Sequence, residues 1–375
     1  IQLDNAAATL VEEERIVTLL TGTNQVDFSW SNTAIDKSTI LLRVIDMPLR
    51  DARPGETAPL VRPDGKVETV RVINTTFPPG ENALTWEIYA DKALAVRVRI
   101  SYLIANLTRS FDYRAVAEND ESTLALSNFI RLQNISGEEF GASGIWAGFG
   151  NYFERQVGAN EAKQMLAWKF SSVPITKTYT FDWYSGQPVP EEPDQRYVAM
   201  RYVLTNDKAH NMGLFPLQSG KVRIFQKDTR GGEAFVGEDW GTLSPIDADM
   251  KLYLGLARDV VVRRKIFKND YTRINGNLGT RDVVLEYKIE NFKDKPLTLD
   301  ISEDIGRLRD ELFGGKDHDP DWSILPDGTT LPASALDRKD SRTLEIHIPL
   351  PAAPKGDAKV EPLTVSVHLR LANEW

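Results

Sequence analysis

The chain has 375 residues, 41% of them hydrophobic and 26% charged, with a formal net charge of −9; that composition is ordinary for a soluble globular protein, and the length predicts two domains, or three. Its 45 basic residues are interleaved with 54 acidic ones, and it holds no cysteine. Nucleic acid and anionic membrane surfaces are therefore not expected as partners, and disulfides, thiolate metal sites and a cysteine nucleophile are excluded.

Residues 8 to 20 fit two short strands or one bent strand, and Thr21-Gly22-Thr23-Asn24 a turn. Val26, Phe28 and Trp30 alternate with polar neighbours, and Ile40 to Ile45 is a compact apolar strand. Residues 47 to 66 carry Pro48, Pro54, Pro59 and Pro63, which marks a long loop. Val67 to Ile73 alternates, and Leu84, Trp86 and Ile88 resume the period beyond Phe77-Pro78-Pro79-Gly80. Leu94, Val96, Val98, Ile100 and Tyr102 then alternate without a break against Ala95, Arg97, Arg99 and Ser101. One face is apolar and the other wet, the mark of a half-buried antiparallel strand. The chain turns at Asn106, returns through Phe111, Tyr113 and Ala115, turns again at Glu118 to Ser122, and runs on from Leu126 to Leu132.

From Gly141 the pattern changes. Gly141, Gly144, Gly148 and Gly150 interrupt it, and Asn160 is expected to cap a helix from Glu161 to Lys169, with Ala162, Met165 and Leu166 on one face. Tyr179, Phe181 and Trp183 predict a strand, and the proline-rich residues 185 to 196 an interdomain linker. Strands are then expected at Val198 to Leu204, Lys221 to Gln226, Lys251 to Leu256, Val260 to Lys265, Val283 to Asn291, Leu297 to Ile301, Leu344 to Ile348 and Leu363 to Leu371. The expected fold class is all-β: two antiparallel, immunoglobulin-like β-sandwich domains, over 1–140 and 197–375. Between them, residues 141–196 form a Gly- and aromatic-rich, partly helical insertion and the linker.

Several stretches resemble the bacterial family of unknown function that includes mucoidy inhibitor A. They are LLTGTNQVDFSWSNTAID (19–36), RISYLIANLTRSFDYRAVA (99–117), QNISGEEF (133–140), LQSGKVRIFQ (217–226), LYLGLARDVVVRRK (252–265) and YKIENFKDKPLTLDISEDI (287–305). The resemblance covers most of the chain and implies an exported or envelope-associated β-sandwich protein; it carries over no catalytic residue. The chain departs from it at Arg109, where the family favours Trp, and over 141 to 184, which do not align.

Catalytic patterns fail on inspection. The match beginning Gly148-Phe149-Gly150 ends on Phe153 instead of glycine, Ser219-Gly220-Lys221-Val222 lacks the phosphate-loop spacing, and Gly141-Ala142-Ser143-Gly144 is no nucleophile elbow. His210, His318, His347 and His368 lie far apart, although the strands of His347 and His368 could pair. Asp317, Asp319 and Asp321 have the alternate acidic spacing that wraps calcium, but Trp322 and Gly328 stand where such a loop needs glycine and glutamate. A solvated acidic turn is the plain alternative, and no other cofactor is implied.

Aromatic residues crowd the 141–184 segment, among them Trp146, Phe149, Tyr152, Phe153 and Trp168. Such rings stack on sugars, anchor a protein interface or close a core. The expectation is a non-enzymatic structural or assembly protein of the bacterial envelope or cell surface, self-associating into a homo-oligomer or polymer through β-edges and aromatic loops. The alternative is a carbohydrate-binding module using these aromatics. The chain starts at Ile1 within a strand-like segment, which a removed signal peptide or an upstream domain would explain; a removed signal peptide and an extracytoplasmic location are the expectation. No apolar run reaches the length of a membrane span.

Overall fold

The computed structural model describes residues 1–375 except 4, 6, 7, 47–69, 149, 314–318, 356–358 and 375. In chain order the first strands are β1 (Thr9–Leu19), β2 (Gly22–Ser29), β3 (Leu41–Asp46), β4 (Val70–Thr76), β5 (Ala83–Ala90), β6 (Leu94–Ile104), β7 (Leu107–Ala117), β8 (Thr123–Asn134), β9 (Phe140–Trp146), β10 (Tyr152–Val157) and β11 (Ala162–Pro174). Then follow β12 (Thr176–Asp182), β13 (Pro188–Val189), β14 (Glu192–Thr205), β15 (Gly220–Lys227), β16 (Glu233–Gly241), β17 (Asp249–Asn275), β18 (Leu278–Asn291) and β19 (Leu297–Asp304). Helix α1 (Ile305–Phe313) precedes β20 (Asp321–Leu325), β21 (Leu336–Arg338), β22 (Thr343–Leu350) and β23 (Leu363–Glu374). The protein is all-β apart from α1 and short 3₁₀ turns among the described residues.

The chain forms two compact units, Ile1–Asp112 with Ser127–Lys169, and Tyr113–Leu126 with Phe170–Trp375. In the first, β1-β6-β3 and β2-β5-β4 are antiparallel sheets and β9 and β10 a hairpin. Leu84, Trp86 and Ile88 of β5 and Val96, Val98, Ile100 and Tyr102 of β6 enter one core, each strand giving alternate side chains. Phe28 lies 5.8 Å from Trp86 and 6.1 Å from Tyr102, centroid to centroid. The Tyr102 hydroxyl donates to Glu13 at 2.7 Å, and burial raises its pKa.

A tight turn locks the end of β8. Buried Asn134 donates to the carbonyls of Glu138 and Gly158, and its Oδ1 accepts from Ser136. Gly137 follows at φ +85°, where a Cβ would lie 1.9 Å from the Asn32 carbonyl oxygen. No side chain fits there.

In the second unit the largest sheet has the order β20-β23-β18-β17-β14-β12-β19-β22-β21, with β13 beside β14. The β12–β19 pair is parallel, a departure from the all-antiparallel expectation. Val260, Val262, Leu285, Tyr287, Ile301, Ile346 and Leu369 fill its core, with Ile305 and Leu308 of α1. Asp304 caps that helix, accepting from the Arg307 amide at 3.0 Å.

The helix expected over Glu161 to Lys169 is strand β11. Asn160, its expected cap, sits in a turn at φ +60°, and the Glu161 carboxylate accepts from the Gly158 amide. Strand pairing beside β8 overrides the helical spacing of Ala162, Met165 and Leu166. Residues 185–196, read as a linker, contain β13 and the start of β14.

Glu121, at the turn between β7 and β8, accepts from Lys177 and from Tyr202, both at 2.6 Å. Burial alone would raise its carboxyl; these partners outweigh it and hold the pKa below the ordinary 4.5. A depressed carboxylate stabilises the fold above its unfolded pKa and loses that contribution as pH falls through the folded value. Glu121→Gln should therefore be less stable at pH 7, with parent and variant converging in chemical denaturation as pH falls through the depressed folded-state value of the carboxyl. Gly137→Ala should cost about 3 kcal/mol; urea curves matching the parent would show that the turn relaxes freely.

Candidate functional site

β17 is 27 residues long, and its two ends have different surroundings. Up to Arg263 it pairs with β14 on one side, the last register partner being Gln195. From Val260 to Asn275 it pairs with β18 on the other. Beyond Arg263, therefore, its outer edge has no strand partner among the described residues. That stretch and the start of β18 form a hairpin arm closed by Gly276 and Asn277, with Gly276 at φ +56°. From Phe267 to Asn277 every residue of the arm is exposed.

Internal contacts order the arm. The Tyr271 ring lies against Gly279, where a Cβ would meet it at 2.4 Å, and its hydroxyl donates to the Asn277 carbonyl at 2.8 Å. The Arg281 guanidinium sits 5.4 Å from that ring and donates to Asn269 at 2.6 Å. Phe267, 74% exposed, and Ile274, 62% exposed, remain in solvent. Exposed apolar side chains on an unpaired strand edge offer both backbone groups and contact area to another chain.

A buried charge cluster roots the arm. Arg264, 2% exposed, donates to Glu303 at 2.6 and 3.1 Å, to Glu311 of α1 at 3.3 Å and to the Tyr184 hydroxyl at 3.2 Å. Tyr287 donates to Glu303 at 2.9 Å and Tyr184 to Glu311 at 2.7 Å. The Trp183 ring has the Arg264 guanidinium 5.0 Å and that of Arg196 4.0 Å from its centre. Burial opposes the Arg264 charge, but the Glu303 carboxylate holds its pKa above the ordinary guanidinium value. Burial likewise raises the Glu303 carboxyl, against the pull of Arg264 and Tyr287. These groups satisfy one another's charges and hydrogen bonds, and together they brace the base of the arm.

The aromatic residues expected as a site divide. Trp146 and Tyr152 are register partners across β9 and β10, with centroids 4.7 Å apart and planes tilted by 46°. Both are exposed, at 49% and 44%. Phe153 packs on the first core, Trp168 is half-buried, and Phe149 lies outside the described residues. Asp317 and His318 also lie outside them; Asp319 is exposed, 3.8 Å from Arg342, and Asp321 accepts from Asn373 at 2.8 Å. Among the described residues no three His, Asp or Glu side chains converge as a metal-binding group. The strands of His347 and His368, β22 and β23, have five strands between them in the sheet order and do not pair. His347 instead meets Asp300 at 2.7 Å, and His210 meets Asp207 at 2.7 Å.

The sequence reading stopped β17 at Lys265 and missed the arm. Its sequence signal is the turn dipeptide Asn275-Gly276, followed by Asn277, between alternating residues. No helix among the described residues is long and apolar enough to cross a membrane. Glu303→Ala, which leaves the Arg264 guanidinium buried without its main counter-charge, should cost about 3–5 kcal/mol. The double variant Arg264→Met, Glu303→Leu should be more stable than that single one in denaturant titrations; equal losses would mean that the carboxylate does not neutralise Arg264. Comparison with protein-family models finds no match, and comparison with curated proteins finds none.

Proposed function

We propose that this chain is a non-enzymatic assembly protein whose copies associate through unpaired strand edges, foremost the β17 arm. The observation carrying this reading is the arm itself: a hairpin whose outer edge has no strand partner among the described residues, bearing Phe267 and Ile274 in solvent. A folded domain normally blunts such an edge, and strand addition is the physical route by which an open one binds. Exposed apolar residues recur on other terminal strands, Ile16 on β1, Ile73 on β4, and Phe235 and Trp240 on β16. We take the chain as two layered β-sandwich domains of immunoglobulin type and place it outside the cytoplasm, in the bacterial envelope or at the cell surface, on its resemblance to the mucoidy inhibitor A family.

A second reading, carbohydrate binding, is favoured by the Trp146–Tyr152 pair. Tyr152 lies over Gly144, where a Cβ would come within 2.5 Å of its hydroxyl, and Glu154 accepts from that hydroxyl at 3.3 Å. Exposed rings beside a carboxylate suit a sugar's apolar face and its hydroxyl rim.

Light scattering across a wide concentration range decides between the two. The parent mass is expected to rise with concentration and to ignore chelator, while Phe267→Asp with Ile274→Asp stays monomeric and folded. A parent that remains a monomer throughout would retire assembly, and glycan-array binding lost in Trp146→Ala would then favour the second reading.

A further inference from the structure

Resting on the assembly reading, we infer that the arm pairs antiparallel with the same arm of a second copy, about a two-fold axis through Asn269. The available edge sets the limits. Asp194 reaches the Lys265 ammonium at 3.2 Å beside the last β14 pairing, so the open edge begins near Ile266 and runs to Asn275.

An isologous antiparallel pair requires complementarity between residues equally far from its axis. The sequence around Asn269 is Phe267-Lys268-Asn269-Asp270-Tyr271. An axis at Asn269 sets Lys268 against Asp270 of the second copy, and Phe267 against Tyr271, each contact occurring twice. An axis at Asp270 sets Phe267 against Arg273 and Asp270 against itself, and one at Tyr271 sets Asn269 against Arg273 and Asp270 against Thr272. Neither alternative matches opposite charges.

The existing sheet points the same way. Arg370 grips Asp282 at 2.7 and 2.8 Å, and Asp282 is the register partner of Asp270. Two carboxylates thus face each other across β18 and β17, and the row ends on the open edge. Within the chain Asp270 has Lys268 at 3.1 Å, but along its own strand and in solvent, Asp270 being 63% exposed. A strand added in the Asn269 register carries Lys268 of the second copy into the next place of that row, which then reads cation, carboxylate, carboxylate, cation. The ladder to β18 shifts between Ile266 and Lys268, leaving Phe267 as a bulge, so the regular stretch is short and the association reversible.

The absence of cysteine makes the test clean. Asn269→Cys sits opposite itself in this register and should oxidise to a covalent dimer. Thr272→Cys should not, because its two copies would lie about 20 Å apart along the strands. Lys268→Asp and Asp270→Lys should each weaken self-association about tenfold, since every like-charge opposition counts twice. Mixed together, those two single variants complement each other at both positions and should form heterodimers. If the parent associates but Thr272→Cys cross-links as readily as Asn269→Cys, or the mixture recovers nothing, the register is wrong and assembly stands on other edges. If the parent does not associate, the assembly reading itself fails.

Discussion

A guanidinium with almost no access to water is the constraint on which the second unit turns. Arg264 can be buried only because Glu303 neutralises it and Tyr184 and Glu311 take further N–H groups. Such a pair contributes little net stability against its desolvation cost, but it tolerates few alternative arrangements. Arg264 bonds β19, α1 and the turn after β12, and Glu303 in turn accepts from Tyr287 of β18, so the cluster ties four elements to β17. Arg264 is also where β17 parts from β14, so the brace sits at the base of the arm and keeps its first residues in place.

β17 reaches that point by changing allegiance along its length. Met250, Leu252 and Leu254 are buried in its first part but belong outside the core that Ala257, Val260 and Val262 enter. A period-two strand cannot pass from even to odd buried positions and back without irregularity. The ladder to β14 shifts twice, around Met200–Arg201 and Tyr197–Val198, and Gly255 between them has φ +123°. These bulges let one continuous strand serve two sets of buried side chains.

What the sequence disclosed follows from this. Half-buried strands announce themselves, and the alternation from Leu94 to Tyr102 is β6, its even face buried from Val96 to Tyr102 and its odd face exposed at Arg97 and half-buried at Ala95 and Arg99, although Ser101 is buried too. The helix was misplaced because spacing alone weighed Met165 and Leu166, whereas pairing beside β8 decided them. α1 was legible and overlooked: Asp304 caps it, and Ile305, Leu308 and Leu312 recur at helical spacing. The Arg264 cluster was not legible at all. Its members are scattered from Trp183 to Glu311 among many other acidic and basic residues, and topology alone brings them together. Of the aromatic segment, composition gave the crowding, but the division between core and surface required the β9–β10 register.

Because the arm is the tail of a core strand and not an appended loop, it has a mechanical character. Antiparallel hydrogen bonds run perpendicular to their strands. Tension applied at the tip along the hairpin therefore loads the ladders from β17 to β14 and from β18 to β23 in shear, with many bonds sharing the force at once. A hairpin joined through a flexible hinge would peel bond by bond under the same pull. Here a load on the tip passes straight into the interior, through Arg264, to the helix and the strands it braces.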